Sequence, residues 1–418
     1  MDSDSLYADV FQNYTDHINP NLARLMAFAG FGVEISAVGA IITDHEGREF
    51  IDCLGGYGTF TFGHRHPKIV AAVRDQLDLM GLSGKAFFSK PQADLAAALA
   101  EISPAGLDFA FFCNSGAEAV EAALKFAKGA TQRAGIISTQ GSYHGKTLGA
   151  LSTTEREKYR KPFMPLLPGV QFAPFGDAEA VAYLADDNTA AIIVEPIQGE
   201  GGIIIPPDGY LAQLREIADR SGAVLIFDEV QTGLGRTGRN FACEWDGVAP
   251  DIMCLAKALG GGIMPLGAIL YARAIYDQIY DVNPLAHTST FGGNALACRA
   301  GLAALQILQD ENIAAQSEEK GRLMLDGFVE IAQAHPDLIA SVRGRGLMIG
   351  LEFSMDEVGE LVVAQLLKRG VCVAYALNNP RVLRFEPPVM ISNDQIETVR
   401  RAVSKSIAET AELLAELV

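Results

Sequence analysis

Two residues of opposite chemistry stand at the ends of neighbouring apolar runs. Ile226-Phe-Asp-Glu-Val-Gln-Thr-Gly233 delivers Asp228 at the end of one, and Pro250-Asp-Ile-Met-Cys-Leu-Ala-Lys-Ala-Leu-Gly-Gly-Gly262 delivers Lys257 at the end of the next. A lone amine near a carboxylate suits Schiff-base chemistry. The amine condenses with an aldehyde, and the carboxylate keeps a heteroaromatic nitrogen protonated so that the ring draws electrons. Pyridoxal 5'-phosphate is the cofactor that needs this pair. Neither residue is diagnostic alone, because an Asp at a strand end commonly starts a turn and most Lys are solvated surface groups.

Other strand ends supply further parts. Asn114-Ser-Gly-Ala-Glu-Ala-Val-Glu-Ala-Ala-Leu124 is a small turn running into a strong helix, whose free N–H groups and positive dipole end suit a phosphate or merely begin an ordinary helix. Gly141-Ser-Tyr-His-Gly-Lys-Thr147 offers Tyr143 or His144 as a ring to lie on a planar cofactor. Glu195-Pro-Ile-Gln-Gly-Glu-Gly-Gly202 is an acidic turn with three glycines, and Gln231 follows Asp228 with an amide that could bond a ring hydroxyl. Five strand ends, each supplying a part that one cofactor needs, argue more than any single one.

The elements that must position these residues are short, continuously apolar runs separated by helical patterns. Strands are expected at Asp108–Cys113, Gly135–Thr139, Ala190–Glu195, Ala223–Asp228, Asp251–Leu255 and Leu266–Tyr271, with helices such as Ala117–Lys128 and Gly209–Ser221. Runs buried on both faces and linked by helices predict an α/β fold with a mostly parallel sheet. After about residue 305 the pattern changes. A helix at Ser317–His335, a strand at Ser341–Phe353, a helix at Glu360–Arg369, two short strands and a closing helix from Asn393 to about Leu417 predict a smaller α+β domain. Ser392 and Gln395 have the spacing of a capping box. The expected division is an N-terminal arm at 1–50 that packs with the small domain and holds a hairpin from Ala40, a large cofactor domain at 51–305, and the small domain at 306–418.

With 418 residues and 49% hydrophobic composition the chain can bury a large core. Its net charge of −18 opposes nucleic acid and anionic membrane surfaces as partners. The acidic start, Met1-Asp-Ser-Asp-Ser-Leu-Tyr7, has no signal-peptide pattern, and no apolar run approaches a spanning helix. Six scattered cysteines without C-x-x-C spacing oppose a disulfide framework or zinc site and fit a reducing cytoplasm.

The segments Cys113-Asn-Ser-Gly-Ala-Glu-Ala119, Tyr143-His-Gly-Lys-Thr147, Glu195-Pro-Ile-Gln-Gly-Glu-Gly201, Phe227-Asp-Glu-Val-Gln-Thr-Gly233, Leu255-Ala-Lys-Ala-Leu-Gly-Gly-Gly262 and Thr288-Ser-Thr-Phe-Gly-Gly-Asn294 resemble, in order, those of the class III aminotransferases, pyridoxal phosphate enzymes of fold type I. The resemblance runs from about residue 35 to the C-terminus. It implies that Lys257 is the Schiff-base lysine and proton shuttle, that Asp228 pairs with the pyridine nitrogen, and that Gln231 meets the ring hydroxyl. Ser115, Gly116 and Ala117 would hold the phosphate, Tyr143 would stack on the ring, and His144 and Glu195 would complete the cofactor site. Thr290 would reach the phosphate of a neighbouring subunit, which implies a homodimer with shared active sites.

The resemblance also assigns substrate contacts to Tyr57, Lys146, Glu200 and Arg384. Arg384, in Val382-Leu-Arg-Phe-Glu-Pro-Pro388, would grip a substrate carboxylate with its planar fork. Glu200 would pair with that arginine when a carboxylate-free substrate is bound, so that one pocket takes a cationic amine and an anionic keto acid in turn. Within the class the likeness is strongest to the putrescine aminotransferases, through Tyr159-Arg-Lys-Pro-Phe-Met-Pro-Leu-Leu-Pro-Gly169, Phe241-Ala-Cys-Glu244, Cys254-Leu-Ala-Lys-Ala-Leu-Gly-Gly-Gly-Ile-Met-Pro265, Asn283-Pro284 with His287-Thr-Ser-Thr-Phe291, and Leu377-Asn-Asn379. Ornithine and acetylornithine enzymes are near relatives, but they place an arginine for the donor α-carboxylate where this chain has Lys146. Ping-pong transfer from a putrescine-like amine to 2-oxoglutarate or pyruvate is therefore expected, with an ornithine-type or biosynthetic ω-aminotransferase as the alternative. The longer N-terminal extension of the putrescine enzymes is missing, which leaves a larger amine or an aldehyde open as substrate.

Rivals from other classes have weaker support. Gly233-Leu-Gly-Arg-Thr-Gly238 matches the dinucleotide pattern G-x-G-x-x-G, but its continuation does not read as a crossover helix, which opposes a nicotinamide-dependent oxidoreductase. A pyridoxal phosphate aminomutase or decarboxylase is a second rival, and a non-catalytic binding protein would not need Lys257. His64 and His66 are two apart in a turn with no further ligand cluster, so solvated or helix-entry histidines are expected rather than a metal site.

Overall fold

The computed structural model describes residues 3–416. Two helices, Ser3–His17 and Pro20–Ala29, precede strands β1 (Glu34–Val38), β2 (Ile41–Asp44) and β3 (Glu49–Asp52), which pair antiparallel in sequence. The hairpin from Ala40 is therefore β2 and β3. Next come β4 (Phe109–Cys113), β5 (Gly135–Thr139), β6 (Val170–Ala173), β7 (Thr189–Val194), β8 (Val224–Asp228), β9 (Ile252–Leu255) and β10 (Gly267–Tyr271). They form one seven-stranded sheet in the order β4-β10-β9-β8-β7-β5-β6. Its pairings are parallel from β9 to β6, and β10 runs antiparallel to both its neighbours. Each of the six expected strands is present. The strand β6 was not foreseen, because Val-Gln-Phe-Ala is too short and too polar to stand out.

Alternation along these strands explains the layers. Ile193, Ile226, Cys254 and Ile269 pack on the helix Gly116–Thr131 through Val120, Ala123 and Phe126. Their neighbours Ile192, Leu225, Phe227, Met253 and Leu270 face the helices Tyr210–Ser221 and Ala295–Asp310. Side chains two apart share a face. Apolar residues at every position are thus what a sheet covered on both sides requires. Truncating Ile226 to Ala would cost about 2–5 kcal/mol. The same parity puts Asp228 on the face of Ile226, toward the helix Gly116–Thr131.

The C-terminal part corrects one expectation. Ser341–Phe353 is not one strand but a hairpin of β11 (Ile339–Arg345) and β12 (Met348–Phe353), paired antiparallel. Gly346 turns the chain with a φ of 55°, directly after Arg343-Gly-Arg345, and packs against the backbone of Arg236 and Thr237. A helix at Asp356–Lys368 leads to β13 (Val371–Cys372), β14 (Ala374–Tyr375) and β15 (Val382–Phe385), three short strands where two were expected. Strands β11, β12, β15 and β14 form a third sheet, while β13 joins β3 in parallel. The helix Ala295–Asp310 runs unbroken through residue 305, and the chain turns at Glu311 and Asn312. The closing helix, Asn393–Glu416, starts with the capping box, with Gln395 N–H donating to Ser392 Oγ at 3.2 Å and Ser392 N–H to Gln395 Oε1 at 2.8 Å.

All six cysteines are buried as free thiols. Among the described residues, no helix is long and apolar enough to cross a membrane.

Candidate active site

Beyond the carboxyl ends of β4, β5, β7, β8 and β9 lies a cavity of about 510 Å³. Its lining includes Ser115, Gly116, Ala117, Tyr143, His144, Lys146, Glu195, Asp228, Gln231 and Lys257, so ten of the fourteen expected site residues converge there. The other four, Tyr57, Glu200, Arg384 and Thr290, lie outside that lining.

Lys257 follows β9 by two residues and adopts a left-handed backbone with a φ of 47°. A bulky residue holds that conformation only where its surroundings enforce it, and such positions cluster at functional sites. Among the described residues its amine has no hydrogen-bond or ion-pair partner. Burial lowers its pKa, with Glu386 and Glu200 opposing the shift. A desolvated, unpaired amine is a nucleophile for an aldehyde.

Asp228 ends β8 and is buried, with Oδ2 2.7 Å from His144 Nδ1 and Oδ1 accepting the Val230 N–H at 3.1 Å. His144 has its backbone N–H on Thr154 Oγ1 at 2.9 Å, and its Nε2 is buried without a partner. Of the two candidate rings, His144 is therefore committed to Asp228, and Tyr143 is the half-buried one beside the cavity. Glu195 lies behind both, accepting the N–H groups of Tyr143 and Gly199 at 3.0 Å each. Burial pushes its carboxyl up to about 7; His144 and the two N–H groups pull it down, and Asp228 adds to the rise.

Ser115 caps the helix Gly116–Thr131, its Oγ accepting the Glu118 N–H at 3.2 Å. The backbone N–H groups of Ser115, Gly116 and Ala117 have no partner among the described residues, as a helix start leaves them. A Cβ on Gly116 would meet Val230 at 2.9 Å, and one on Gly145 would meet Ala117 at 2.8 Å, so both glycines permit close approach at this cradle. Three open donors at the positive end of a helix suit a phosphate.

At the other end of the site, Arg384 on β15 is fully buried, with Nη1 3.0 Å from Glu200 Oε1. Glu200 also accepts the Leu377 N–H at 2.9 Å. Tyr57 sits in a turn where Gly55, Gly56 and Tyr57 all have positive φ, and its ring lies 5.0 Å from the Arg384 guanidinium. Asp52 holds that turn through the N–H groups of Leu54 and Gly55 and binds His64 at 2.7 Å. His64 is thus a buried partner of Asp52 rather than a solvated residue, while His66 precedes the helix Pro67–Leu79 as a helix-entry histidine. Lys146 is exposed, its amine 4.8 Å from the ring of Tyr159. Thr290 is also exposed.

Glu386 was not singled out in the sequence. It is fully buried, and Gln231 Nε2 donates to both its carboxylate oxygens at 2.8 and 2.9 Å. A charged residue directly after the buried run Val382–Phe385 is the signal that could have found it. Gly233–Gly238, the dinucleotide look-alike, opens no helix beyond the short turn Ala242–Trp245; Gly235 packs on Leu308 and Ile313, and Gly238 on Glu318.

The profile of the family "Aminotransferase class-III" matches residues 33–407. Ornithine aminotransferase from Toxoplasma gondii is 34% identical with a TM-score of 0.87, and 91% of each chain is covered. A second structure of that enzyme, described as having partial occupancy of PLP at the active site, is 32% identical over 98% of each chain with a TM-score of 0.88. A transaminase from the marine bacterium Virgibacillus is 26% identical with a TM-score of 0.87, covering 92% of this chain and 94% of that one. The chain belongs to the class III aminotransferase family, with the fold type I architecture, and is a pyridoxal 5'-phosphate-dependent transaminase acting on an amine and a keto acid. The site fits that cofactor: an unpaired buried amine for the aldehyde, an open N–H cradle for the phosphate, and a buried carboxylate backed by a histidine for the ring nitrogen.

Proposed function

We propose that the donor is a terminal primary amine without an α-carboxylate, a diamine of the putrescine type, and that the acceptor is a 2-oxo acid, in a ping-pong cycle. One observation carries this reading: no arginine lines the cavity among its described residues, and the nearby Arg384 is closed by Glu200. A donor α-carboxylate would meet only the exposed amine of Lys146, a point charge without the bidentate fork. The ornithine enzymes among the structural neighbours support the alternative donor.

Bound pyridoxal phosphate supplies an electron sink conjugated to the amine carbon. Lys257 would hold its aldehyde end, and its buried amine would be the base that takes the proton from the donor carbon. Asp228, fixed by His144, would pair with the ring nitrogen and keep it protonated. Ser115, Gly116 and Ala117 would bind the phosphate, Tyr143 would cover the ring and Gln231 would meet its hydroxyl. Glu195 orients the Tyr143 segment through its N–H. Glu200 leaves Arg384 when the keto acid carboxylate arrives.

Thr290 serves the site of a second copy in this reading. Support comes from the exposed apolar residues Leu82, Phe87, Phe88, Leu285 and Phe291, whose two segments are tied by Lys85 donating to the Gly292 carbonyl. Contiguous exposed apolar surface of that kind marks an interface. Residues 51–305 carry the cofactor residues and 306–418 carry Arg384, with 1–50 as an arm completed by β13; a cytoplasmic location is part of the same proposal.

Lys146→Arg tests the donor assignment. The wild type is expected to prefer putrescine over ornithine, and the variant to shift the ratio of kcat/KM toward ornithine by about tenfold, the gain of one bidentate contact. A wild type that prefers ornithine would overturn it.

A further inference from the structure

Arg384 has two carboxylates beside it rather than one. Its Nη1 lies 3.0 Å from Glu200 Oε1 and 3.7 Å from Glu386 Oε2, and all three residues are buried. The two acids are held differently. Glu200 sits in the glycine-rich turn after β7, anchored beyond Arg384 by the N–H of Leu377. Glu386 is fixed at both ends: its carboxylate takes Gln231 Nε2 on both oxygens, and its backbone N–H donates to the Cys53 carbonyl at 2.7 Å. Any Cβ on Gly55 would strike the Glu386 carbonyl at 1.9 Å, so the glycine turn packs directly on the Glu386 backbone. Arg384 Nε and Nη2 are buried without partners, leaving part of the guanidinium open to a ligand.

We propose that Glu386 is a specificity-determining residue: a fixed second counter-ion that stays beside Arg384 after Glu200 has moved, weakening the grip on the keto acid carboxylate and favouring a cationic amine. The proposal rests on the reading of Arg384 as the carboxylate-binding residue. Displacing Glu200 exposes the guanidinium to the ligand, but the ligand carboxylate then shares it with Glu386 in a buried site where like charges are weakly screened. Two acids against one guanidinium also leave a negative excess around Lys257, where the donor ammonium must enter. Removing that acid should strengthen anion binding and weaken amine binding together.

A plainer role exists for Glu386, because the fully buried Arg236 also feels its charge. Arg236 has its own partners, however, in the carbonyls of Leu347 and Pro387 and the hydroxyl of Thr61 at 2.6–3.1 Å. The experiment separates the two roles. Binding of glutarate, an unreactive dicarboxylate, to the holoenzyme would be measured by calorimetry in the wild type, E386Q and R384Q, with thermal unfolding alongside.

Glu386→Gln keeps an acceptor for Gln231 and removes the charge; it is expected to bind glutarate about tenfold tighter, with a lower KM for the 2-oxo acid and a higher KM for the amine. Arg384→Gln is expected to abolish glutarate binding. If R384Q loses glutarate while E386Q binds it no better than the wild type, the role of Glu386 fails and the reading of Arg384 stands. If R384Q binds glutarate like the wild type, the reading of Arg384 itself fails. An E386Q protein with a lowered Tm and unchanged glutarate affinity would make Glu386 the partner of Arg236 and overturn the proposal. Should E386Q not fold, E386D draws the carboxylate back from Arg384 and is expected to tighten glutarate in the same direction; unchanged affinity there would equally overturn it.

Discussion

His144 Nδ1 lies 2.7 Å from Asp228 Oδ2, with both side chains buried at the end of β8. The imidazole fixes one carboxylate oxygen and the Val230 N–H fixes the other. The Asp228 carboxylate is therefore held in a set direction, as its proposed pairing with the ring nitrogen requires.

Replacing His144 by Ala is expected to lower kcat by about ten- to hundredfold, the cost of losing a hydrogen bond to a charged group, with a smaller change in the amine KM. Steady-state kinetics at saturating cofactor check this. Asn at 144, which can still donate to Asp228, should recover part of the loss. Unchanged kcat in the Ala variant would show that His144 has no part in positioning Asp228 for catalysis.

Glu195 links pH to the stability of the cofactor-free protein. Its carboxyl lies near 7 in the fold, raised from 4.5 mainly by burial. Between those values the folded chain holds a proton that the unfolded chain has released. The stabilising contribution is present in full at low pH and is lost as pH rises through the folded value. Urea unfolding of the wild type and Glu195→Gln at several pH values tests this: the variant should gain relative to the wild type as pH rises from about 5 to about 8. A difference that does not change with pH would contradict the buried, elevated carboxyl.

How much of this was legible in the sequence follows from where the information sits. Strand ends are visible because a polar residue interrupts an apolar run, which is how Asp228, Lys257 and Glu195 were found. Glu386 interrupts such a run too, but it stands beside Arg384 in Val-Leu-Arg-Phe-Glu, where a single ion-binding residue had already explained the departure from apolarity. The pairing of Gln231 with Glu386 joins residues 155 positions apart, and no local pattern encodes it. The β11–β12 hairpin is a different case: Arg343-Gly-Arg-Gly346 does carry a polar, glycine-containing break, and reading one strand through it overlooked the turn at Gly346. His64 read as solvated because its partner, Asp52, is visible only once β3 is placed.

Thr290 and Lys257 test the shared site. If Thr290 serves the neighbouring subunit, Thr290→Glu and Lys257→Ala should each be inactive alone, the second lacking the visible band of lysine-bound cofactor. Unfolded together and refolded as mixed dimers, they should recover up to about a quarter of wild-type activity, because half the dimers then carry one intact site. No recovery, from mixed dimers shown to form, would place Thr290 in the site of its own chain, and full activity of Thr290→Glu alone would place it in none.

Donor preference is tested most directly by the first half-reaction, followed by the loss of the visible cofactor band without any keto acid. Putrescine, cadaverine, ornithine and acetylornithine would be mixed separately with the purified holoenzyme. Rapid bleaching is expected with the two diamines, and bleaching at least about tenfold slower with ornithine and acetylornithine, for want of a bidentate partner for the α-carboxylate. Faster bleaching by ornithine or acetylornithine would contradict it, and would mean that Lys146 suffices to hold an α-carboxylate.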